Sequence, residues 1–321
     1  MSSKGGKKKK SSLDYPQLAR MVVAGAAKAS GNEGAAQDDA PEAKFEAGLY
    51  VVATPIGNLG DVTLRALVTL ASCDIVACED TRNSGLLLQK YGIKKRLISY
   101  HDHNADEKRP EILKHIEAGE AVALISDAGL PLVADPGFRL VRGCVDAGYS
   151  VTVIPGASAG LTALAASGLP TDAFYFAGFL PPKTSARIKD LESLKPIEAT
   201  LIFYEAPQRL AASLKDMHAA LGNRGAAVAR ELTKLFEEVK RGELHTLAAY
   251  YAAHPPKGEI VVIVAPPGKN TEVSGDPDEI LRALLRTESL RDAVAIAVEA
   301  TGMKKSEIYA RALWLSGKSG K

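Results

Sequence analysis

Residues 48–61, Gly48-Leu49-Tyr50-Val51-Val52-Ala53-Thr54-Pro55-Ile56-Gly57-Asn58-Leu59-Gly60-Asp61, decide the fold of this chain. The run Leu49–Ala53 is β-branched and aromatic, bounded by Gly and Pro, and reads as a buried strand. The loop after it holds two glycines and a proline, which permit a tight turn, and Asp61 can cap a following helix. Thr63–Ala71 then places Leu64, Leu67, Val68 and Leu70 on one side of a helix. Strand, glycine loop and helix form the first half of a βαβ unit.

The same alternation runs outward from this stretch. Strands are expected at Asp74–Cys78, Arg96–Tyr100, Ala121–Ser126 and Ser150–Ile154. Helices are expected at Ser84–Tyr91, Arg109–Ala118, Phe138–Ala147 and Ser158–Ser167. Apolar strands alternating with amphipathic helices indicate an α/β domain with a largely parallel sheet covered on both faces, here residues 48–168.

From about Thr171 the pattern changes. Candidate strands Phe174–Phe179, Thr200–Tyr204, Ala226–Glu231, Leu235–Lys240 and Glu259–Val264 are interspersed with helices at Ala186–Leu194, Gln208–Leu221 and His245–Ala253. They suggest a second, mixed-sheet α/β domain over residues 169–267, with Gly168–Asp172 as a hinge. Residues 268–321 read as a polar linker and three short helices, Asp278–Thr287, Ser289–Ala300 and Ser306–Leu315. Thr301-Gly302-Met303 resembles a helix-turn-helix corner. Residues 1–47 read as a disordered, lysine-rich tail with a short helix around Leu18–Lys28.

Composition narrows the function classes. The 321 residues carry a net charge of +2, so the whole chain is no polycation, and any nucleic-acid contact must come from local basic patches. Cys73, Cys78 and Cys144 make neither a disulfide framework nor a zinc pattern, and read as small buried residues of a reducing compartment. No apolar run approaches the roughly 18–20 residues that span a bilayer, and MSSKGGKKKKSS lacks the apolar segment of a secretory signal. The expected location is the cytoplasm.

Four loops stand at the carboxyl ends of the expected parallel strands, the edge where open α/β sheets bind ligands. They are Thr54–Asp61, Glu79-Asp80-Thr81-Arg82, Ser126–Pro131 continuing through Asp135-Pro136-Gly137, and Pro155-Gly156-Ala157-Ser158. The first is neither GxGxxG nor the Walker pattern, which removes support for nicotinamide or nucleoside triphosphate binding. In the second, two carboxylates beside an arginine fit either a structural ion cluster or a substrate-facing group. In the third, small residues let backbone amides approach a flat ligand. The fourth turns into a helix whose first amides are free. His101-Asp102-His103-Asn104 offers two histidines but no third metal ligand, and suits a helix-capping or RNA-facing loop better; no metal is expected.

TPIGNLGD, EDTR, HDHN, SDAGLP, DPG and FYEAP, in this order between Gly48 and Pro266, resemble the ligand loops of the tetrapyrrole methylase superfamily, and within it those of the branch that methylates small-subunit ribosomal RNA. The first loop differs from the GxGPGD-like form of porphyrin-type members, and Leu130 stands where Thr is usual. The resemblance implies two α/β domains of tetrapyrrole-methylase type with the cofactor cleft between them, plus the C-terminal helical appendage. It further implies S-adenosylmethionine as cofactor, 2′-O-methylation of a cytidine in 16S rRNA within the small ribosomal subunit, and a homodimer. Competing readings are a methylase of a tetrapyrrole or other small acceptor, and a ribosome-associated protein that binds the cofactor without transferring it.

Carried onto this chain, the cofactor is expected at Thr54, Pro55, Ser126, Asp127, Ala128, Gly129, Pro131, Pro155, Gly156 and Ser158 of the first domain. Phe203, Tyr204, Ala229 and Gly258 of the second are expected to face its two ends. A 2′-hydroxyl is a poor nucleophile until its proton leaves, so a base and a stabilising cation are sought among the charged groups of these edges. Glu79 as base and Lys234 as stabiliser are the favoured pair, with Asp80, Asp102 and Thr233 also in reach of the role. Arg82, His101, His103, Glu205, Arg230 and Glu231 are assigned to the RNA.

Overall fold

The computed structural model describes residues 21–22, 45–132, 137–268, 276–301 and 303–316. The expected tail helix, Asp135 and Pro136 of the DPG motif, and Gly302 of the helix corner lie outside them, apart from Met21 and Val22, which are helical.

Ten strands are laid out as two five-stranded sheets. The first contains β1 (Gly48–Val52), β2 (Ile75–Cys78), β3 (Arg96–Ser99), β4 (Ala121–Ile125) and β5 (Val151–Ile154) in the order β3-β2-β4-β1-β5. Every pairing in it is parallel. β1, β2 and β4 are buried at every residue, which is why they read as unbroken apolar runs. One face is covered by α1 (Leu64–Ser72) and α2 (Thr81–Lys90), where Leu67, Leu70, Leu88 and Tyr91 meet Tyr50, Val52 and Val76. The other carries α3 (Ala105–Glu117) and α4 (Phe138–Asp146), where Ile112, Ile116, Leu140 and Cys144 meet Leu49, Val51 and Leu124.

α3 begins four residues ahead of its expected start. Asn104 accepts the His101 backbone N–H at 2.8 Å and donates to the Ser99 carbonyl at 3.1 Å, so the HDHN turn is a built helix lead-in. Pro110 lies inside the helix rather than at its beginning.

The second sheet runs β6-β7-β10-β8-β9, from β6 (Phe174–Phe179), β7 (Thr200–Glu205), β8 (Gly225–Arg230), β9 (Glu238–Glu243) and β10 (Ile260–Val264). β6 and β7 are parallel and the remaining pairs antiparallel, giving the mixed sheet. α6 (Thr184–Leu194), α7 (Leu210–Leu221) and α8 (Leu244–Ala253) cover one face around Leu191, Leu214, Met217 and Leu247. β9 starts three residues later than expected. Leu235 and Phe236 are 80% and 68% exposed in a turn, because Glu231 and Thr233 take left-handed backbone (φ 50° and 66°) and the Thr233 N–H donates to the Glu237 carboxylate at 2.6 Å.

α5 (Ala159–Ser167) follows β5 but packs on the second sheet, where Ala163 and Leu164 join Ile202, Ala227 and Ile263. Arg241 of β9 donates to the carbonyls of Ala166 and Ser167, fastening the helix end to that sheet. The expected hinge Gly168–Asp172 therefore lies within the second unit, and the chain passes between the units at Pro155–Ser158. The C-terminal helices α9 (Pro277–Leu284), α10 (Leu290–Thr301) and α11 (Lys305–Leu315) share a small core of Leu281, Val294, Ala297, Ile308 and Ala312.

Candidate active site

Two cavities open side by side along the carboxyl edge of the first sheet. The first, about 370 Å³, lies between the two sheets and is lined mainly by apolar and small residues. From the first unit come Ile56, Ala128, Gly129, Leu130, Ser158 and Ala159, and from the second Phe179, Tyr204, Ala229, Leu232 and the segment Gly258–Val261. Tyr204 is flanked edge-on by Phe176 and Phe179, with ring centroids at 5.1 and 5.5 Å. The volume falls in the range of small-molecule sites, roughly 300–1,000 Å³.

The walls of this cleft are held by the two glycine loops. Thr54 and Gly129 form an antiparallel bridge, exchanging backbone hydrogen bonds at 2.9 and 3.1 Å. The Thr54 hydroxyl donates to the Ser126 carbonyl at 3.2 Å, and Ser126 Oγ donates to the Ala128 carbonyl at 3.3 Å. Gly129 is required here: its φ is +85°, and an added Cβ would stand 3.3 Å from Ile56. On the opposite rim, Lys234 Nζ donates to Glu231 at 3.0 Å and to Glu259 at 3.1 Å. Burial opposes the ammonium charge, but the bonds to these two carboxylates outweigh it and raise the Lys234 pKa. The Glu231 carboxyl is held below its ordinary pKa, chiefly by its bond to Lys234. The turn is also seated on the first unit, since a Cβ on Gly57 would stand 2.6 Å from Lys234 Cγ.

The second cavity, about 490 Å³, is polar and more open, lined by Glu79, Asp80, Thr81, Arg82, Ser99, His101, His103 and Asp127 at the ends of β2, β3 and β4. Two adjacent carboxylates there are driven apart. The side-chain bond from Arg82 and its backbone N–H hold the Asp80 carboxyl down at about 2. Burial, then the charges of Asp127 and Asp102, push the Glu79 carboxyl up, with only His101 and its charge pulling the other way. The divergence leaves Glu79 the more basic of the two, the kind of separation that active sites use to assign acid and base roles. Asp127 accepts a hydrogen bond from Asn83 Nδ2 at 2.8 Å, and His101 Nδ1 is buried with no hydrogen-bond partner among the described residues. The His101 and His103 rings meet edge to face at 6.0 Å.

Of the residues the sequence assigned to the cofactor, Ala128, Gly129, Ser158, Tyr204, Ala229 and Gly258 line the cleft. Thr54, Pro55, Ser126, Pro131, Pro155 and Gly156 are not in its lining, and the hydrogen bonds of Thr54 and Ser126 make them the frame behind it. Asp127 lies instead in the polar recess. Phe203 is fully buried on the opposite face of β7 with Leu191 and Leu214, because successive strand residues alternate faces. Among the RNA assignments, Arg82, His101 and His103 gather in the recess. Glu205 borders the cleft rather than the recess, and its carboxylate, 0% exposed, is bonded to Arg209 and Ser213. Arg230 pairs with Glu238 at 2.5 Å and Glu231 with Lys234, so both are rim ion pairs. The favoured pair is separated as well, with Glu79 in the recess and Lys234 engaged on the second-sheet rim. Ile56, Leu130, Phe179 and Leu232 were missed, although the first two sit inside motifs already singled out. Among the described residues, no group of His, Cys, Asp and Glu could hold a metal ion, and no helix is long and apolar enough to cross a membrane.

Residues 48–248 match the family of Tetrapyrrole (Corrin/Porphyrin) Methylases, and residues 271–316 match a module described as the RsmI C-terminal HTH domain. Among solved structures, diphthine synthase aligns with a TM-score of 0.53 at 17% identity, over 68% of this chain and 89% of that one. Uroporphyrin-III-C-methyltransferase from Thermus thermophilus aligns with a TM-score of 0.50 at 20% identity, over 68% and 94%. At such identities these two establish the fold alone. Ribosomal RNA small subunit methyltransferase I of Mesorhizobium japonicum is 53% identical over 88% of this chain and 97% of its own length. The protein of that name from Escherichia coli O157:H7 is 45% identical over 84% and 96%.

The chain belongs to the tetrapyrrole methylase family and, within it, to the ribosomal RNA small subunit methyltransferase I family. It is a methyltransferase, and its methyl donor is S-adenosylmethionine. The interdomain cleft fits that donor: its aromatic and aliphatic walls suit the adenine.

Proposed function

We propose that the protein methylates the 2′-hydroxyl of a cytidine in the 16S rRNA of the small ribosomal subunit. One observation carries the reading: a cleft suited to the donor and a polar recess suited to a ribonucleotide share one wall, with Ala128 facing the cleft and Asp127 the recess. The relatives' name supports small-subunit rRNA as the substrate.

The bound donor supplies a methyl group on a positively charged sulfur, already activated for displacement. What remains for the protein is to align the acceptor oxygen and remove its proton. Glu79 takes that proton, its raised pKa making it a stronger base than an ordinary carboxylate. Arg82, whose side chain is 87% exposed, stands where a guanidinium can meet the flanking phosphates. His101 and His103 border the nucleoside. Lys234 is a positioning residue that holds the cleft rim through Glu231 and Glu259.

The protein acts in the cytoplasm as a homodimer. Val153, Leu161, Phe174 and Tyr175, all exposed on β5, α5 and β6, support a second copy as their cover.

The test is incubation of the purified protein with radiolabelled S-adenosylmethionine and small ribosomal subunits or protein-free rRNA lacking the modification. Label recovered by mass spectrometry in 2′-O-methylcytidine is the expected result. Label in neither RNA, with donor binding intact, overturns it.

A further inference from the structure

We propose that Asp127 and Asn83 read the base of the target nucleotide, presenting an acceptor and a donor that match the N4 amino group and N3 of cytosine. The proposal rests on the recess being the acceptor site. Asn83 lies in the first turn of α2, and Asp127 follows β4. Asp127 lines the recess and Asn83 meets it from the side, with Asn83 Nδ2 donating to Asp127 Oδ2 at 2.8 Å.

That bond does two things. It turns the Asp127 carboxylate toward α2, away from the donor cleft faced by its neighbour Ala128. It also leaves the rest of the pair unused, since among the described residues Asp127 Oδ1 accepts no hydrogen bond and Asn83 Nδ2 donates only the one. Both residues are exposed to incoming ligand. The pair therefore offers a carboxylate acceptor beside an amide donor, with Asn83 Oδ1 as a further acceptor.

Cytosine presents the complement, an amino donor beside the N3 acceptor. Uracil reverses both groups, setting its O4 against a carboxylate and its N3–H against an amide N–H. A site built to bond one such edge rejects the other because polar groups that the docked base covers are left unpaired. A good two-point contact discriminates by roughly 5- to 150-fold. Glu79 stands in the same recess, so base recognition and deprotonation are served by separate carboxylates.

Small subunits would be reconstituted with rRNA transcripts carrying either cytidine or uridine at the methylated position. Initial rates would be measured for the unaltered enzyme, Asp127→Asn and Asn83→Ala, with donor affinity followed by calorimetry. The unaltered enzyme is expected to prefer cytidine by at least about tenfold. Both variants should compress that ratio toward one while donor affinity stays within about twofold. Equal rates on the two RNAs, or a ratio unchanged by both substitutions, would overturn base reading while leaving the methylation reading intact. Methylation of neither RNA by the unaltered enzyme would bring down the acceptor-site reading, and this proposal with it.

Discussion

The Arg82 guanidinium grips the carboxylate of Asp80 at 2.8 Å while Glu79, the preceding residue, has no ion-pair partner among the described residues. Two adjacent acids thus receive opposite environments. One is fixed as an anion that caps α2, and the other is left basic at the recess floor.

This sets the pH dependence of methylation. Glu79 must be ionised to accept a proton, so kcat/KM should rise with pH through a pKa above the usual glutamate value. Asp127→Asn removes one of the negative charges that raise it, and the acidic limb should move to lower pH. Burial still raises the group, and Asp102, Asp80 and His101 continue to act on it, so the shift is partial. Profiles from pH 5 to 8.5 with both enzymes check the sign. A limb that stays in place removes Glu79 from the proton transfer.

Glu79→Gln keeps the shape of the side chain and loses the base. We expect kcat to fall by about 10²–10⁴-fold, the usual contribution of a positioned general base. Donor affinity by calorimetry should be unchanged. A variant within threefold of the original rate would return the base to another group of the recess.

Lys234→Met separates two roles. As a rim clamp, Lys234 contributes through partly exposed ion pairs of about 0.2–1 kcal/mol each, so donor affinity should weaken by roughly 2- to 30-fold with kcat nearly preserved. A stabiliser of developing charge would instead cost about 10²–10³ in kcat. Single-turnover rates at saturating donor decide between them.

Gly258 lies at φ +89°, and any Cβ there would collide with the Glu231 carboxylate. Gly258→Ala combines left-handed strain with displacement of the rim pair. Donor affinity should drop by about tenfold, following roughly 1–3 kcal/mol of local strain. Equilibrium dialysis with labelled donor measures it.

Arg187 tests the scaffold away from the site. It is 2% exposed, bonds Asp216 at 2.6 Å, and donates to the carbonyls of Pro181 and Pro182. Arg187→Ala leaves Asp216 as an uncompensated buried charge and should destabilise the second unit by about 3–5 kcal/mol. Urea denaturation followed by circular dichroism would register it.

The first sheet was legible because its central strands are apolar throughout and its turns carry Gly, Pro and capping residues. The Glu231–Glu237 turn was not. Leu235-Phe236 has strand composition, and only the left-handed backbone at Glu231 and Thr233 shows that pairing begins at Glu238. In the candidate site, the loops were readable while the aim of each side chain was harder to see. Phe203 and Tyr204 are adjacent, yet one fills the core and the other the cleft, a matter of register. Glu205 and Arg230 carry the right chemistry, but each is claimed by a neighbour from another element, and such pairings are settled only by packing.

The helix α5 has a wider consequence. It rises from the ligand edge of one sheet and is pinned to the other by Leu164 and by Arg241, and Ile56 of the first unit packs into the same apolar cluster, so parting the two units would strip Ile56 from it. On the proposed reading the two units make one bench on which the donor is seated from one side and the nucleic acid is laid from the other. On that reading both tenants lean on the Asp127–Ala128 partition, a single short loop with one face to each cavity.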